Sequence, residues 1–289
     1  LRGFLKGSVR KLRNLYKKGA VMKQEEAKAY LKRIGYTEDI QKDKETLNGL
    51  IRAHLEQVPF ENLDVCELGE VPSLDEGKLF EKIVEKNRGG YCFELNTLFL
   101  ALLRALGFTV YPVAVRVLWN RDILPPVSHM ALVVRLSDGK YLCDVGYGGP
   151  GPKGLLSLEP SVQEVAGERF QVRGRAEDLL VERAHGETWK AVLQFHDQPF
   201  LQQDFQLLNF YCAANPAVIF SHKRVVNLCT AAGSKALTEM ELVIREGEQT
   251  VRRQLQDEKE LKTCLEEEFG LCNIKTKQDM QTAGGSRSI

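Results

Sequence analysis

The spacing of apolar residues changes at Gly107, and this change constrains the fold more than any other feature of the chain. Between Gln24 and Gly107 apolar residues recur every three or four positions, which is typical of amphipathic helices. From Thr109 onward they alternate with polar residues in TVYPVAVRVL, HMALVVRL and KYLCDV, a pattern that predicts antiparallel strands. A helical part is therefore followed by a β-rich part, and the sequence predicts the α+β fold class.

The remainder of the chain mixes both kinds of secondary structure. Strands are predicted at AVIFSH (217–222), VVNLCT (225–230) and MELVIRE (240–246), and a polar helix is predicted from Glu258 to Glu268. The end is polar and contains Gly and Ser, so we expect a flexible tail. The predicted division is a helical segment at 22–107, a β-rich segment at 108–194, a mixed segment at 195–272 and the tail at 273–289.

The first 21 residues differ from the rest in charge. They carry seven Lys/Arg and no acid, which leaves 33 basic against 39 acidic residues in the remainder. Their apolar residues recur at helical spacing, at Leu5, Val9, Leu12 and Leu15. The segment is either an interfacial amphipathic helix or sequence upstream of a start at Met22, and we favour the second interpretation. We therefore expect a basic leader at 1–21 that is not part of the fold.

Composition argues against several classes of protein. The acidic balance beyond the leader and the lack of a known binding motif argue against nucleic-acid binding. No stretch has the pattern of a secretory signal or the unbroken apolar length of a membrane span, which predicts a cytoplasmic location. Seven cysteines without a C-x-x-C pair, and five histidines without zinc-ligand spacing, predict free thiols and no metal site.

The segment RGGYCFELN (88–96) contains the best candidate nucleophile. Gly89 and Gly90 allow a sharp turn, and the apolar run that follows makes Cys92 the predicted first residue of a buried helix. Free N–H groups and the helix dipole stabilise a thiolate there, so we expect the pKa of Cys92 to fall below its usual value of about 8.5. A small core cysteine is the alternative, and a helix start alone does not exclude it.

A thiolate needs a base, and the base needs a third group that fixes its tautomer. His129 opens the strand HMALVVRL, and Asp144 ends the strand KYLCDV. A cysteine on a helix, followed by His and Asp on neighbouring strands, is the layout of papain-like cysteine enzymes. A tight turn at 138–139 would leave Asp144 roughly 10–13 Å along the strand from His129. A bulge, a longer loop or strong twist would then be needed to bring the two together.

Four sequence blocks carry a resemblance to a known family. RGGYCFELN around Cys92, VPFENLD at 58–64, SHMALVV with His129 and CDVGYGG with Asp144 resemble, in order and separation, the arylamine N-acetyltransferases, bacterial members in particular. The resemblance covers about residues 22–271. It implies a papain-like cysteine-enzyme core with an N-terminal helical bundle, a central β-barrel and a C-terminal α/β lid.

The resemblance also implies a reaction. Acetyl-CoA would acylate Cys92, and an arylamine, hydrazine or arylhydroxylamine would then take the acetyl group, with His129 as base and Asp144 holding the imidazole. No metal is implied. The positions that match the family's CoA site are Gly146, Gly148, Gly149, Pro126 and Tyr211, and those that match its amine site are Phe60, Tyr147 and Ser128. Arg88 and Glu61 match a pair that braces the cysteine segment.

Two other functions remain open from the sequence. A papain- or transglutaminase-like thiol hydrolase would use the same three residues on peptide or amide bonds, and it predicts a peptide groove. A catalytically inactive interaction module would keep the fold but would tolerate loss of a triad member. No recognisable pattern encodes the preferred amine or the oligomeric state.

Overall fold

The computed structural model describes residues 22–284, and it describes side chains as far as Met280. The predicted basic leader at 1–21 and the last five residues, 285–289, lie outside the described residues. Within residues 22–284, no helix combines the length and hydrophobicity that a membrane crossing requires.

Helices dominate the first part of the described chain. Their bounds are α1 Gln24–Arg33, α2 Lys44–Gln57, α3 Leu63–Cys66, α4 Glu76–Phe80 and α5 Cys92–Ala105, with a short strand β1 at Phe60–Glu61 and a π-helical turn at Glu81–Glu85. Asp43 and Asp75 cap α2 and α4 by accepting hydrogen bonds from backbone N–H groups one turn on. Every residue from Cys92 to Leu103 is buried, as expected for a helix that is apolar all round. The helices predicted from the apolar spacing are confirmed.

Eight antiparallel strands form the second part. They are β2 Thr109–Val117, β3 His129–Leu136, β4 Gly139–Cys143, β5 Leu156–Ser157, β6 Ser161–Val165, β7 Glu168–Arg175, β8 Asp178–His185 and β9 Thr188–Phe195. Their order in the sheet is β5-β4-β3-β2-β9-β8-β7-β6. The two edge strands, β5 and β6, approach each other, so the sheet curls into a nearly closed barrel.

Strand β3 lies between two hydrophobic cores. Met130 and Leu132 pack into the core around α5, whereas Ala131 and Val133 pack into the core inside the barrel. Alternate residues of a strand point to opposite faces, so β3 is buried on both sides. Its first residue, His129, is therefore located where the helices meet the barrel.

A second sheet and three helices complete the fold. Their bounds are α6 Asp204–Ala214, a 3₁₀ turn at Ile219–Ser221, β10 Val225–Thr230, β11 Gly233–Thr238, β12 Glu241–Glu246, β13 Gln249–Gln254, α7 Glu258–Phe269 and α8 Lys277–Gly284. The sheet order is β1-β10-β11-β12-β13, in which Phe60 pairs with Asn227. Strand β1 thus ties this sheet to the helical part, and the predicted α+β fold class is confirmed.

One strand prediction between α6 and β10 is wrong, and one helix was missed. Residues 217–222 form no strand, because the Oδ1 of Asn215 accepts a hydrogen bond from the N–H of Ala217 and starts a turn that leads into the 3₁₀ segment. Helix α6 was not predicted at all. Its apolar residues do not lie on one face, since Leu207 and Phe210 are 76% and 60% exposed, and the periodic signal is correspondingly weak.

Part of the predicted tail forms helix α8, which the sequence analysis did not predict. Thr276 is buried, and its N–H and Oγ1 both donate to Oδ2 of Asp279, which caps the helix start. The N–H of Lys277 donates to Oε2 of Glu67 at 2.9 Å, and Glu67 also pairs with Arg224. The backbone at the start of α8 is thus bound to a buried ion pair.

Candidate active site

Cys92 is the first residue of α5, as the sequence predicts, and its side chain is buried. The approach to the helix is tight, since a Cβ at Gly89 would lie 2.0 Å from the carbonyl oxygen of Pro59. The N–H of Tyr91 donates to Oε2 of Glu94 at 3.0 Å, which satisfies one free donor near the helix start. The backbone that carries the buried thiol is therefore constrained by close packing and by a hydrogen bond at the start of α5.

The hairpin of β3 and β4 brings His129 to Asp144. Leu136 pairs with Gly139, so the turn lies at 137–138, one residue earlier than the sequence argument placed it. This change shifts the register by two and leaves Asp144 two positions from His129 on the same face. The Nε2 of His129 and the Oδ2 of Asp144 are 2.6 Å apart. The bulge or longer loop expected from the sequence is not needed.

The carboxylate of Asp144 is oriented by further donors. Its Oδ1 accepts hydrogen bonds from Nδ2 of Asn96 and from the N–H of Gly146, both at 2.9 Å. Burial alone would raise the pKa of Asp144, but the His129 imidazole, the Asn96 amide and the Gly146 N–H together lower it below its usual range. The group facing His129 is therefore an ionised carboxylate.

Asn96 is a site residue that the sequence analysis missed. Its Nδ2 also donates to the carbonyl of Met130 at 2.7 Å, and its Oδ1 accepts from the N–H of Val145 at 3.2 Å. Asn96 follows Cys92 by four residues, so both lie on one face of α5. That spacing, with a polar residue in an otherwise apolar helix, is the signal that could have identified it.

The sulfur of Cys92 lies near the backbone of Ser128 and Met130, the residues on either side of His129. Sγ lies 4.0 Å from the carbonyl oxygen of Ser128, and the backbone N–H groups of Met130 and Phe93 lower the pKa of the thiol. Burial nevertheless raises the pKa of Cys92 well above its ordinary value, and the Cys212 thiol and Asp144 raise it further against those two N–H groups. The expectation that the helix start would lower this pKa is wrong, because desolvation outweighs the effect of the two N–H groups.

A cavity of about 370 Å³ opens beside the thiol. All the predicted site residues except Asp144 line it, namely Phe60, Cys92, Pro126, Ser128, His129, Gly146, Tyr147, Gly148, Gly149 and Tyr211. Asp144 contacts His129 without lining the cavity. Among the other lining residues, Arg121, Cys212, Phe220 and Asn227 carry no sequence signal for such a role. The structure therefore brings the predicted residues of the thiol, amine and CoA sites around one space.

The glycines after Asp144 are needed for close packing. A Cβ at Gly146 would lie 2.8 Å from the Cα of Cys92, and one at Gly148 would lie 2.7 Å from the ring of Phe60. The N–H of Gly146 already donates to Asp144. The N–H of Gly146 is therefore not free to bind a phosphate group.

A buried network of charges supports the segment before Cys92. Arg88 donates to both Glu61 and Asp64 at 2.7 Å, and Lys82 pairs with Asp64 at 2.7 Å and with Glu94 at 2.8 Å. Burial raises the pKa of Glu94 to about 7, although the charge of Lys82 lowers it. The Arg88–Glu61 pair that the resemblance implied as a brace is part of this network.

Metal ligation is a separate question. Within the part of the chain that the structure describes, no group of three or more His, Cys, Asp or Glu side chains could hold a metal ion. The chemistry available at the cavity is that of a thiol, an imidazole and a carboxylate. These groups define the class of enzymes that use a cysteine nucleophile assisted by histidine.

Comparisons with known sequences narrow this class to one family. The model of a family described as N-acetyltransferase matches residues 43–278. The arylamine N-acetyltransferase of Escherichia coli (strain K12) is 33% identical over 246 residues, which cover 84% of this chain and 87% of that protein. The enzyme of the same name from Mycobacterium tuberculosis (strain H37Rv) is 32% identical over 249 residues, with 84% and 88% covered. The chain belongs to the arylamine N-acetyltransferase family, which is a family of acyltransferases.

Solved structures are similar over nearly the whole chain. The arylamine N-acetyltransferase of Salmonella typhimurium is 28% identical, with a TM-score of 0.83, over 92% of this chain and 99% of that one. The Mycobacterium marinum enzyme in complex with CoA is 28% identical, with a TM-score of 0.81, over 89% and 97%. The fold therefore agrees with the family assignment.

Proposed function

We propose that this chain transfers an acetyl group from acetyl-CoA to the nitrogen of arylamines, hydrazines and related amines through an acetyl-cysteine at Cys92. The observation that carries the proposal is the position of its sulfur between the backbone groups of Ser128 and Met130, on either side of an imidazole that Asp144 holds. The names of the relatives support the substrate class. One relative, from Salmonella typhimurium, is named arylamine N-acetyltransferase and N-hydroxyarylamine O-acetyltransferase.

The first half-reaction moves the acetyl group onto the enzyme. Because Nε2 of His129 faces Asp144, Nδ1 is the nitrogen that takes the proton of Cys92. Burial disfavours a lone thiolate, so the reactive form is the ion pair of thiolate and imidazolium, with the negative charge of Asp144 stabilising the imidazolium. Sγ attacks the thioester carbonyl, the carbon–sulfur bond to CoA breaks, and the CoA sulfur takes the proton from His129.

The second half-reaction releases the product. The amine nitrogen attacks the acetyl carbonyl on Cys92, His129 takes the proton from that nitrogen, and the Cys92 thiolate leaves. An acetyl-cysteine is a thioester like the donor, so little free energy is lost at the halfway point. An aromatic amine is neutral near pH 7 and can attack directly.

The amine is proposed to bind against Phe60, Tyr147 and Ser128. The ring of Tyr147 lies 5.5 Å from that of His129, and the ring of Phe60 lies 5.7 Å from that of Phe220. Aromatic side chains thus line the cavity of the thiol. They would exclude water from the acetyl-cysteine, which is necessary because water competes with the amine for the same carbonyl.

The donor is proposed to bind along Gly146, Gly148, Gly149, Pro126 and Tyr211. A neighbouring cavity of about 510 Å³ shares the Gly148–Gly149 edge with the thiol cavity and carries Lys153 and Arg245. Basic side chains there suit the phosphates of CoA. Gly146 would contribute space to this path, since its N–H already bonds Asp144.

These roles assign a separate part of the proposed site to each of the three segments of the chain. Residues 22–107 would form the bundle with the nucleophile, residues 108–194 the barrel with the base, and residues 195–272 the lid over the cavity. A cytoplasmic location suits the proposal, because Cys92 and the other six cysteines are free thiols and the reaction requires Cys92 reduced.

Intact-mass measurement tests the proposal. The protein is incubated with acetyl-CoA and is expected to gain the mass of one acetyl group, which disappears when an aromatic amine is added and reappears on that amine. Cys92→Ala should gain nothing, whereas Cys272→Ala, which removes an exposed thiol, should behave like the parent. No adduct on the parent, or an adduct that only water removes, would leave a thiol hydrolase as the better assignment.

A further inference from the structure

Helix α6 places a second thiol, Cys212, in the cavity of Cys92. The Sγ of Cys212 lies 3.5 Å from the carbonyl oxygen of Ser128, and the Sγ of Cys92 lies 4.0 Å from the same atom. The two sulfur atoms can therefore be no further apart than these two distances together. Cys212 is fully buried, and no step of the proposed acetyl transfer uses it.

The two thiols are also tied together by their neighbours in the chain. The O–H of Tyr91, the residue before Cys92, donates to the side chain of Asn209, which lies one helical turn before Cys212. The Nδ2 of Asn209 in turn donates to the carbonyl of Pro72 at 2.8 Å. Tyr91 and Asn209 are both buried. Helix α6 is thus fixed against the start of α5, and the two sulfur atoms stay within one packed unit.

We propose that Cys212 is a resolving thiol, which forms a reversible disulfide with Cys92 after a hydroperoxide has oxidised Cys92. The proposal concerns the regulation of the same site, and it rests on the proposed function only in taking Cys92 as the reactive thiol. Of the two sulfur atoms, only that of Cys92 is surrounded by the backbone on either side of His129. Burial raises the pKa of both thiols, but the backbone N–H groups of Met130 and Phe93 favour the thiolate of Cys92 and no such group among the described residues favours that of Cys212, so Cys92 is the first thiol to be oxidised.

The chemistry has two balanced steps. In the first, the Cys92 sulfur attacks one peroxide oxygen, the O–O bond breaks, and the alkoxide or hydroxide leaves and is protonated. Cys92 becomes a sulfenic acid by losing two electrons, and the peroxide is reduced. In the second, the Cys212 sulfur attacks the sulfenic sulfur, hydroxide leaves, and the proton of Cys212 converts it to water. The sum consumes two thiols and one hydroperoxide and yields a disulfide, an alcohol or water, and one further water.

A disulfide would protect the nucleophile. A sulfenic acid with no thiol in reach is oxidised further to a sulfinic acid, which ordinary thiols do not reduce, whereas a disulfide is restored by thiol exchange. The geometric requirement is that the two sulfurs approach to about 2.05 Å, which rotation about the two Cα–Cβ bonds must supply. Acetyl transfer would then stop while Cys92 is in the disulfide and resume once the disulfide is reduced.

Peptide mapping after oxidation tests the proposal. The full chain is treated with hydrogen peroxide in slight excess, alkylated without reduction and digested. We expect the intact protein to lose two hydrogen atoms and the digest to contain a peptide pair that links residues 92 and 212. Dithiothreitol should restore most of the starting acetyl-transfer rate. Oxygen adducts on Cys92 without the linked pair, a link to another cysteine, or no oxidation of Cys92 would each overturn the proposal.

Variants provide the control. Cys212→Ala should form no linked pair, should gain oxygen at Cys92 and should recover little activity with dithiothreitol, each rate being compared with that variant's own untreated rate. Cys264→Ala removes an equally buried thiol in the core under α7 and should recover as the parent does. Equal recovery of Cys212→Ala and the parent would overturn the proposal. If Cys212→Ala does not fold, the linked pair in the parent decides alone.

The two proposals fail separately. A linked pair in a protein that does not accept an acetyl group would overturn the proposed function but leave the resolving thiol supported. An enzyme that accepts an acetyl group but whose oxidation never links Cys92 to Cys212 would support the proposed function and overturn the resolving thiol.

Discussion

The Nε2 atom of His129 and the Oδ2 atom of Asp144 are 2.6 Å apart, and both side chains are buried. This contact fixes which nitrogen of the ring is occupied. In the proposed mechanism, Nδ1 is then the nitrogen that exchanges protons with Cys92 and with the substrate sulfur and nitrogen. The tautomer that the proposed mechanism requires is therefore set by a hairpin whose turn lies one residue earlier than its sequence suggests.

Replacing Asp144 by Asn tests the role of this carboxylate. Asp144→Asn keeps the volume but removes the charge that stabilises the imidazolium and orients the ring. We expect the rate of Cys92 acetylation to fall on the order of 10³-fold or more, by analogy with other Cys/Ser–His–Asp sites. Asp138 lies at the exposed hairpin turn, and its ion pair among those described is with Lys44. Asp138→Asn should therefore change the rate less than about twofold. A loss below about tenfold for Asp144→Asn would contradict the assignment.

Asn96 is expected to act as a positioning residue through Asp144. Asn96→Ala leaves the carbonyl of Met130 and the N–H of Val145 without their partner, which should cost about 1–3 kcal/mol of unfolding free energy. It should also lower the acetylation rate more than it changes KM, and it should shift the pH profile of that rate, because the pKa of Asp144 loses a donor that lowers it.

Asn48→Ala is the matched control for Asn96→Ala. Asn48 likewise accepts a backbone hydrogen bond, from the N–H of Leu155 at 2.8 Å, but it does not line the cavity of Cys92. Its loss should reduce stability without altering the rate or the pH profile. If the two variants behaved alike in all three measurements, Asn96 would have a structural role only.

The sequence predicts the helix and strands that carry this site better than it predicts the contacts between their side chains. Cys92 as a helix start and His129 as a strand start follow from hydrophobic periodicity and are confirmed, whereas Asp144 lies one residue beyond the end of β4 at Cys143. The contact between His129 and Asp144 did not follow, because a shift of one residue in the turn moves the register by two. Local patterns define strands, whereas the register depends on packing over both faces.

Residues that act through tertiary contacts are the ones the sequence analysis missed. Asn96 looks like an ordinary helix residue until Asp144 is placed beside it, and Cys212 is one of seven scattered thiols until α6 is placed over α5. The helix α6 itself has no clear apolar stripe, because Leu207 and Phe210 remain exposed. The expected fall in the pKa of Cys92 was wrong for a related reason, since burial is a property of the whole fold.

Glu94 should make the stability of the protein depend on pH. Burial raises its pKa from 4.5 to about 7 despite Lys82, so the folded state holds a proton that the unfolded state has lost between these values. The unfolding free energy is therefore expected to fall as the pH rises from about 4.5 to about 7 and then to level off, with a contribution of roughly 1–3 kcal/mol. The neighbouring Glu61, Asp64 and Arg88 are present in parent and variant alike.

Urea denaturation of the parent and of Glu94→Gln across this range measures the effect. The variant loses the pairing with Lys82, so its unfolding free energy differs from that of the parent at every pH. As the pH rises, the unfolding free energy of the parent should fall relative to that of the variant. Glu25→Gln, at an exposed position of α1, should show no such trend. A difference between Glu94→Gln and the parent that stays constant with pH would show that Glu94 is ionised throughout.

Tyr147 is expected to govern the competition between amine and water. Its ring stands 5.5 Å from that of His129 and lies among the aromatic residues around the thiol. Tyr147→Ala would open the acetyl-cysteine to water, so we expect the ratio of amine acetylation to hydrolysis to fall on the order of tenfold, equivalent to about 1.4 kcal/mol. Tyr147→Phe keeps the ring and should keep the ratio. Both products are measured after a single acetylation of Cys92, and an unchanged ratio in Tyr147→Ala would mean that other groups exclude the water.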